Sequence, residues 1–407
     1  MNPTQSHRWI RIALINLLIL ATVGLVLRYK ILYPLPFIDQ KHLLHGHSHF
    51  AFAGWITQAL MTLMVAYLDR FQHQGAFKKY RLILLANLIT AYGMLIAFPL
   101  QGYGAVSISF STLSIFVSYI FAVKFWKDLN ISGTNTPAHN WFKAAFIFNV
   151  ISSAGAFALA IMMAKKIIHQ NWYLAAQYFY LHFQYNGWFF FACMGLFTDR
   201  FLISFMPAAK INGIFRLFAL ACIPAYFLST LWMNIPTWAY ILVVLAAIAQ
   251  VFGWAQIVAV LLKNKSVILR QLSGISKWLL GLSGLALTIK LLLQAGSTIP
   301  SLSILAFSFR PIVIGYLHLV LLGVITLFII GYIFSSQLIY ISKRMITGAV
   351  IFSSGIIVNE LLLMAQGAAA LGDTNIPFIQ ESLLLAALVM LSGLLILNSS
   401  GKKNPGK

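Results

Sequence analysis

Residues 42–68 read HLLHGHSHFAFAGWITQALMTLMVAYL. The stretch contains no Asp, Glu, Lys or Arg, and it exceeds the roughly 20 apolar residues that an α-helix needs to cross the hydrocarbon core of a bilayer. A helix satisfies its own backbone N–H and C=O groups, which is the condition for crossing lipid. The reading is therefore a membrane span. Its first half also carries four histidines, His42, His45, His47 and His49, and ionisable side chains inside a span are costly enough to suggest a function.

Eleven further runs of comparable apolarity lie near 9–33, 81–100, 105–126, 142–164, 173–198, 212–233, 237–262, 275–295, 311–335, 345–368 and 380–398. The expected fold is all-α, a polytopic membrane protein with about 12 transmembrane helices. Composition agrees. The chain is 60% hydrophobic and 9% charged, whereas soluble domains carry about 25% charged residues. The net charge of +21 does not indicate a nucleic-acid partner, because the Lys and Arg residues sit in short connections between apolar runs. With the N-terminus cytoplasmic, 21 basic residues fall on the inner side and seven on the outer side, the positive-inside bias. Both termini are then cytoplasmic. No connection is long enough to form a soluble domain, so residues 1–407 read as one integral membrane domain. The partner this composition demands is membrane lipid. The absence of an organelle signal fits a multi-pass protein of the bacterial inner membrane.

The 42–68 stretch has two echoes. After His49 the chain runs HFAFAGW, after His182 HFQYNGW, and after His318 HLVLLGV. Each has an apolar residue next to the histidine and a glycine five positions after it, and the spacings are 133 and 136 residues. The three copies fall on the second, sixth and tenth spans. A repeat of this period predicts three arcs of four helices about a pseudo-threefold axis, each arc presenting one histidine in the outer half of the bilayer.

Helical geometry sorts the histidines. His45 and His49 are four apart and share a face, while His47 points about 200° away from His45. His45 and His49, with His182 and His318 from two other helices, form a candidate ligand set, since neutral imidazole is the commonest ligand for haem iron, copper and zinc. The plain alternative is that each histidine donates to a neighbouring carbonyl and does nothing else. Glu360 is the one carboxylate well inside an apolar run; a proton relay, a hydrogen-bond partner for the ring of a ligand histidine, or an ion pair with Lys290 are its open roles. Cys193 and Cys222 form no CxxC, and no CxxCH is present for covalent haem.

Twelve helices with both termini inside, and histidines on helices 2, 6 and 10, resemble subunit I of the haem-copper oxidases and their nitric oxide reductase relatives. The resemblance covers the chain as topology and three short stretches as motif. It implies that His45, in His45-Gly46, and His318 hold a low-spin haem b between helices 2 and 10, and that His182 is a copper ligand. Tyr316 stands where the family places the high-spin haem ligand, and the region 212–233 lacks the family's adjacent histidine pair. The implied binuclear centre is thus incomplete, and a conventional terminal oxidase is not expected. The repeat prefers His49 to His45 as the helix 2 ligand, and both stay open. His45-Gly46-His47 also looks like the His-x-His of nitric-oxide-response membrane proteins, which points to the same cofactor class.

The expected function is accordingly a membrane haem protein for electron transfer or for handling nitric oxide or oxygen, an oxidoreductase if it is an enzyme. Copper or a second haem is the possible further cofactor, and a small redox protein or a quinol the possible donor. The competing expectation is a proton- or metal-ion-coupled transporter without haem, which predicts discontinuous helices near the midplane.

Overall fold

The computed structural model describes residues 3–70, 75–131, 135–233, 235–303, 309–336, 338–372 and 374–399. His73 and the tail lysines Lys402, Lys403 and Lys407 lie outside the described residues. The regular elements of the described residues are all helices, because an apolar chain in lipid has no other way to pair its backbone short of closing a barrel. The all-α, polytopic expectation holds. Among the described residues, ten helices are long and apolar enough to cross a membrane, or eleven if one bent pair forms a single span.

The long helices are α1 (Pro3–Leu32), α2 (Gln40–Asp69), α3 (Ala76–Gln101), α4 (Ala105–Ile131) and α5 (Pro137–Ala164). They continue with α6 (170–202), α7 (Ala208–Cys222 with Pro224–Thr230), α8 (Thr237–Lys263), α9 (Gly274–Gly296), α10 (Arg310–Ser335), α11 (Lys343–Leu371) and α12 (Ile379–Asn398). The helix α6 is outside the ten, and its His182, Gln184 and Asn186 explain why: they dilute an otherwise apolar run. The second departure is α7. It bends by 40° before Pro224, which brings no N–H to the ladder, and it ends as a 3-10 helix.

The helices separate into two compact units that interleave along the chain. The first comprises residues 1–121, 273–280 and 326–407, the second residues 122–272 and 281–325. Neither is a contiguous domain. In the first unit α2 is the central element. Its most apolar window is 94% buried, whereas the other candidate spans bury between 22% and 50% of theirs. That enclosure applies to the C-terminal half of α2, where residues 50–68 are all buried, whereas His42, His45, His47 and His49 in its first half are half-buried.

Two close approaches hold α2 and α3 together. A Cβ on Gly46 would lie 3.0 Å from Cδ and Cγ of Pro99, so this glycine lets the proline ring of α3 seat against α2. At the end of α3, Gly102 takes φ +58, and a Cβ there would meet the His42 ring at 2.5 Å. At its N-terminus α2 is capped by Asp39, whose carboxylate accepts from the His42 backbone N–H at 2.7 Å.

Candidate functional site

All three histidine helices leave the α-helical register just after the repeat histidine. The π-helical segments are Ala51–Thr57 in α2, Phe183–Phe189 in α6 and Leu319–Thr326 in α10. They begin two, one and one residues after His49, His182 and His318, and each contains the repeat glycine, Gly54, Gly187 or Gly323. The recurrence that the sequence shows as a histidine and a glycine is thus also a recurrence of backbone conformation. π segments are rare and concentrate at functional sites.

A π turn pairs each N–H with the carbonyl five residues back, which leaves a carbonyl without its usual amide. In a membrane such a carbonyl needs another donor. Neighbouring helices supply it. In the first unit, Asn16 of α1 donates to the Gly54 carbonyl at 2.5 Å, and Asn87 of α3 to the Ala53 carbonyl at 3.0 Å. In the second, the Cys222 thiol of α7 donates to the Asn186 carbonyl at 3.7 Å, and the Ser283 hydroxyl of α9 to the Val324 carbonyl at 2.7 Å. The glycines leave room for side chains: ring atoms of Phe50 lie 2.5 Å from where a Gly54 Cβ would be, and the Phe148 Cβ is equally close at Gly187.

The first unit holds His45, His47 and His49. His49 stacks on Phe98, with ring centroids 4.3 Å apart and planes 10° from parallel. His45 meets the Tyr103 ring edge-on at 4.7 Å. Its Nε2 is buried and has no hydrogen-bond partner among the described residues. His47 turns away, as the spacing predicts, and packs against α1, where a Cβ on Gly24 would be 3.1 Å from its Cε1. Glu360 accepts from Asn359 Nδ2 at 3.1 Å and lies within electrostatic reach of Arg28 on α1.

The second unit holds His182, His318 and Tyr316. His318 Nδ1 is 2.8 Å from the Ile314 carbonyl, one turn back on its own helix. A carbonyl only accepts, so Nδ1 carries the proton and Nε2 the lone pair. Metal-bound histidines are oriented by a hydrogen bond of this kind. His182 is different. Its Nε2 donates to the Cys222 carbonyl at 2.8 Å, and its Nδ1 accepts from Asn186 at 3.1 Å. Both ring nitrogens are used within the protein, so a copper ion at His182 would have to displace one of these bonds. Tyr316 lies within electrostatic reach of Tyr185. Lys290 is buried and donates to Gln294 Oε1 at 2.7 Å, and Gln294 in turn donates to Gln250 at 2.6 Å.

Among the described residues no group of three or more His, Cys, Asp or Glu side chains is arranged to hold a metal ion. A copper centre made of protein ligands alone has no such cluster to occupy. A haem needs less, since its macrocycle supplies four nitrogens and the protein adds one or two. The buried, unpartnered His45 Nε2 fits that requirement.

The four side chains that grip the π turns are not candidates on the sequence reading. The available signal was a solitary polar residue in an apolar helix: Asn16 within IALINLLIL and Asn87 within LLANLI. The chain matches no protein-family model and no curated protein.

Proposed function

We propose that this chain is a membrane haem protein, resembling haem-copper oxidase subunit I with a reduced second centre, that serves electron transfer or the handling of a diatomic gas. The observation that carries the reading is His45 Nε2, a buried ring nitrogen with no hydrogen-bond partner among the described residues, walled by the Tyr103 and Phe98 rings. An orphaned polar atom of this kind costs about 1–3 kcal/mol unless something occupies it. His318 supports the reading, because its Nδ1 hydrogen bond assigns the lone pair to Nε2. Bound haem b would supply the redox chemistry. The chain's own part is to present imidazole nitrogens, those of His45, with His49 held against Phe98 beside it, and of His318. The finer architecture belongs to the same proposal: twelve spans counting α6 and α7, three arcs of four helices, both termini cytoplasmic, in a bacterial inner membrane, with a quinol or small redox protein as donor.

The test is a reduced-minus-oxidised optical spectrum of the purified protein with a pyridine haemochrome assay. A b-type α-band at about one haem per chain is the expected result. Colourless protein after haem-supplemented expression refutes the reading.

One set of observations favours the transporter alternative. The helix α7 is broken at Pro224, and the second unit contains the buried polar chain Lys290–Gln294–Gln250. Discontinuous helices and buried ionisable groups are what a proton- or ion-coupled path uses. Colourless protein that carries proton or metal-ion flux in vesicles would establish it.

A further inference from the structure

The side chains that reach the π turns stand in register with the histidines. Asn16 precedes His49 by 33 residues, Asn149 precedes His182 by 33, and Ser283 precedes His318 by 35. Each lies on the helix before its histidine helix, and each is buried. Asn16 and Ser283 donate to the π-segment carbonyls of Gly54 and Val324. Asn149 accepts from the side chain of Gln184, the second residue of the α6 π segment. On the helix after, Asn87 and Cys222 both donate to the carbonyl four residues past the histidine, Ala53 and Asn186. The repeat is therefore larger than the HxxxxG pattern. It includes a polar residue on the preceding helix that engages the π turn in every copy.

A π segment is a one-residue insertion. Collapsing it to α-helix turns everything on one side by about 100° and shifts it by about 1.5 Å relative to the other side. The histidine is the last or the next-to-last residue of the α-helical part, and the C-terminal half of the helix lies beyond the π turn. Whatever fixes the π register therefore fixes the direction of the imidazole.

We infer that Asn16, Asn149 and Ser283 are positioning residues: by engaging the π turn they lock its register and set the azimuth of the histidine on the same helix. The inference about register stands on hydrogen bonds alone, whereas its consequence for iron rests on the haem reading. In Asn16 and Ser283 the mechanism is direct, because each donates to a backbone carbonyl of the π segment itself.

The experiment uses the full chain in detergent micelles, first without haem. Amide hydrogen exchange is measured over 51–57 and 319–326 in Ser283→Ala, Ser283→Thr and Asn16→Leu. Ser283→Ala is expected to speed exchange in 319–326 about tenfold, the equivalent of one buried hydrogen bond, and to leave 51–57 unchanged. Ser283→Thr keeps the hydroxyl and should return wild-type exchange. Asn16→Leu should show the reverse pattern. In haem-loaded protein, Ser283→Ala should also move the low-spin electron paramagnetic resonance g-values, which report the orientation of the axial rings, and Ser283→Thr should restore them. Equal exchange in wild type and Ser283→Ala, or an equal rise in both segments, overturns the inference. Wild-type protein that binds no haem but shows the segment-specific exchange pattern sinks the haem reading and leaves the register lock standing.

Discussion

The His49 imidazole lies flat on the Phe98 ring, with centroids 4.3 Å apart and planes 10° from parallel. Phe98 is fully buried and meets Tyr103 edge-on at 5.2 Å. Tyr103 in turn touches His45. One aromatic residue of α3 therefore braces both histidines that share the inner face of α2. Phe98→Ala should destabilise the protein by roughly 3–5 kcal/mol, as other buried Phe truncations do, and should lower haem content in proportion to the disorder it allows at His45 and His49. Thermal unfolding in detergent and haem stoichiometry measure the two effects. An unchanged spectrum in a destabilised variant would mean that the brace serves stability alone.

His45, His318 and His182 should separate under mutation. His45→Ala and His318→Ala should each remove most of the bound haem. His182→Ala should leave colour in place and cost stability instead, about 1–3 kcal/mol, because it deprives the Cys222 carbonyl and the Asn186 amide of their partner. The haemochrome assay and a thermal melt on the same preparations distinguish them. Loss of a metal from His182→Ala without loss of stability would assign His182 to a metal after all.

At the end of α3, Gly102→Ala should be costlier than an ordinary helix-end substitution. The position has φ +58 and ψ −136, a conformation outside the left-handed helical region that glycine alone adopts readily, where a Cβ costs about 1–3 kcal/mol. The added methyl would also meet His42 Nε2 at 2.5 Å and push that ring away. Gly75→Ala is the control: its φ is also positive, at +152, but nothing lies within 4 Å of the added Cβ. A larger loss at Gly102 than at Gly75 is the expected ranking of melting temperatures.

The cap of α2 gives a pH dependence with a definite sign. The backbone N–H of His42 donates to the Asp39 carboxylate and holds its pKa below the usual carboxylate value, with Lys30 and Lys41 contributing in the same direction. A lowered folded pKa stabilises the helix start above the unfolded carboxylate pKa, and that contribution disappears as pH falls through the folded value. Amide exchange in 40–46, corrected for its intrinsic pH dependence, should therefore rise in the acid range below the ordinary carboxylate pKa. Asp39→Asn keeps a capping oxygen and should abolish the acid rise. An identical acid profile in the variant would place the titrating group elsewhere.

The apolar runs, their approximate ends and the presence of histidine on three of them were legible in the sequence, because lipid leaves a chain few options and charge is excluded from a span. The opposite facing of His45 and His47 was legible too, from helical periodicity alone. The sixth apolar run reads as a span like the others, but its polar residues bring it below the hydropathy of its companions, and the break in α7 needed Pro224 to be read as an interruption rather than as a tolerated residue.

What the sequence by itself determined is that this chain is a bundle of membrane helices with a spaced histidine repeat. Only the tertiary structure decided what surrounds each histidine. His182 is satisfied by a carbonyl and an amide, His318 is oriented by its own helix, and His45 Nε2 has no hydrogen-bond partner among the described residues. It also decided where the helices turn π. An apolar run reads alike at 3.6 and at wider pitch, so the register is invisible until a donor such as Asn16 meets a carbonyl such as that of Gly54, 38 positions away along the chain.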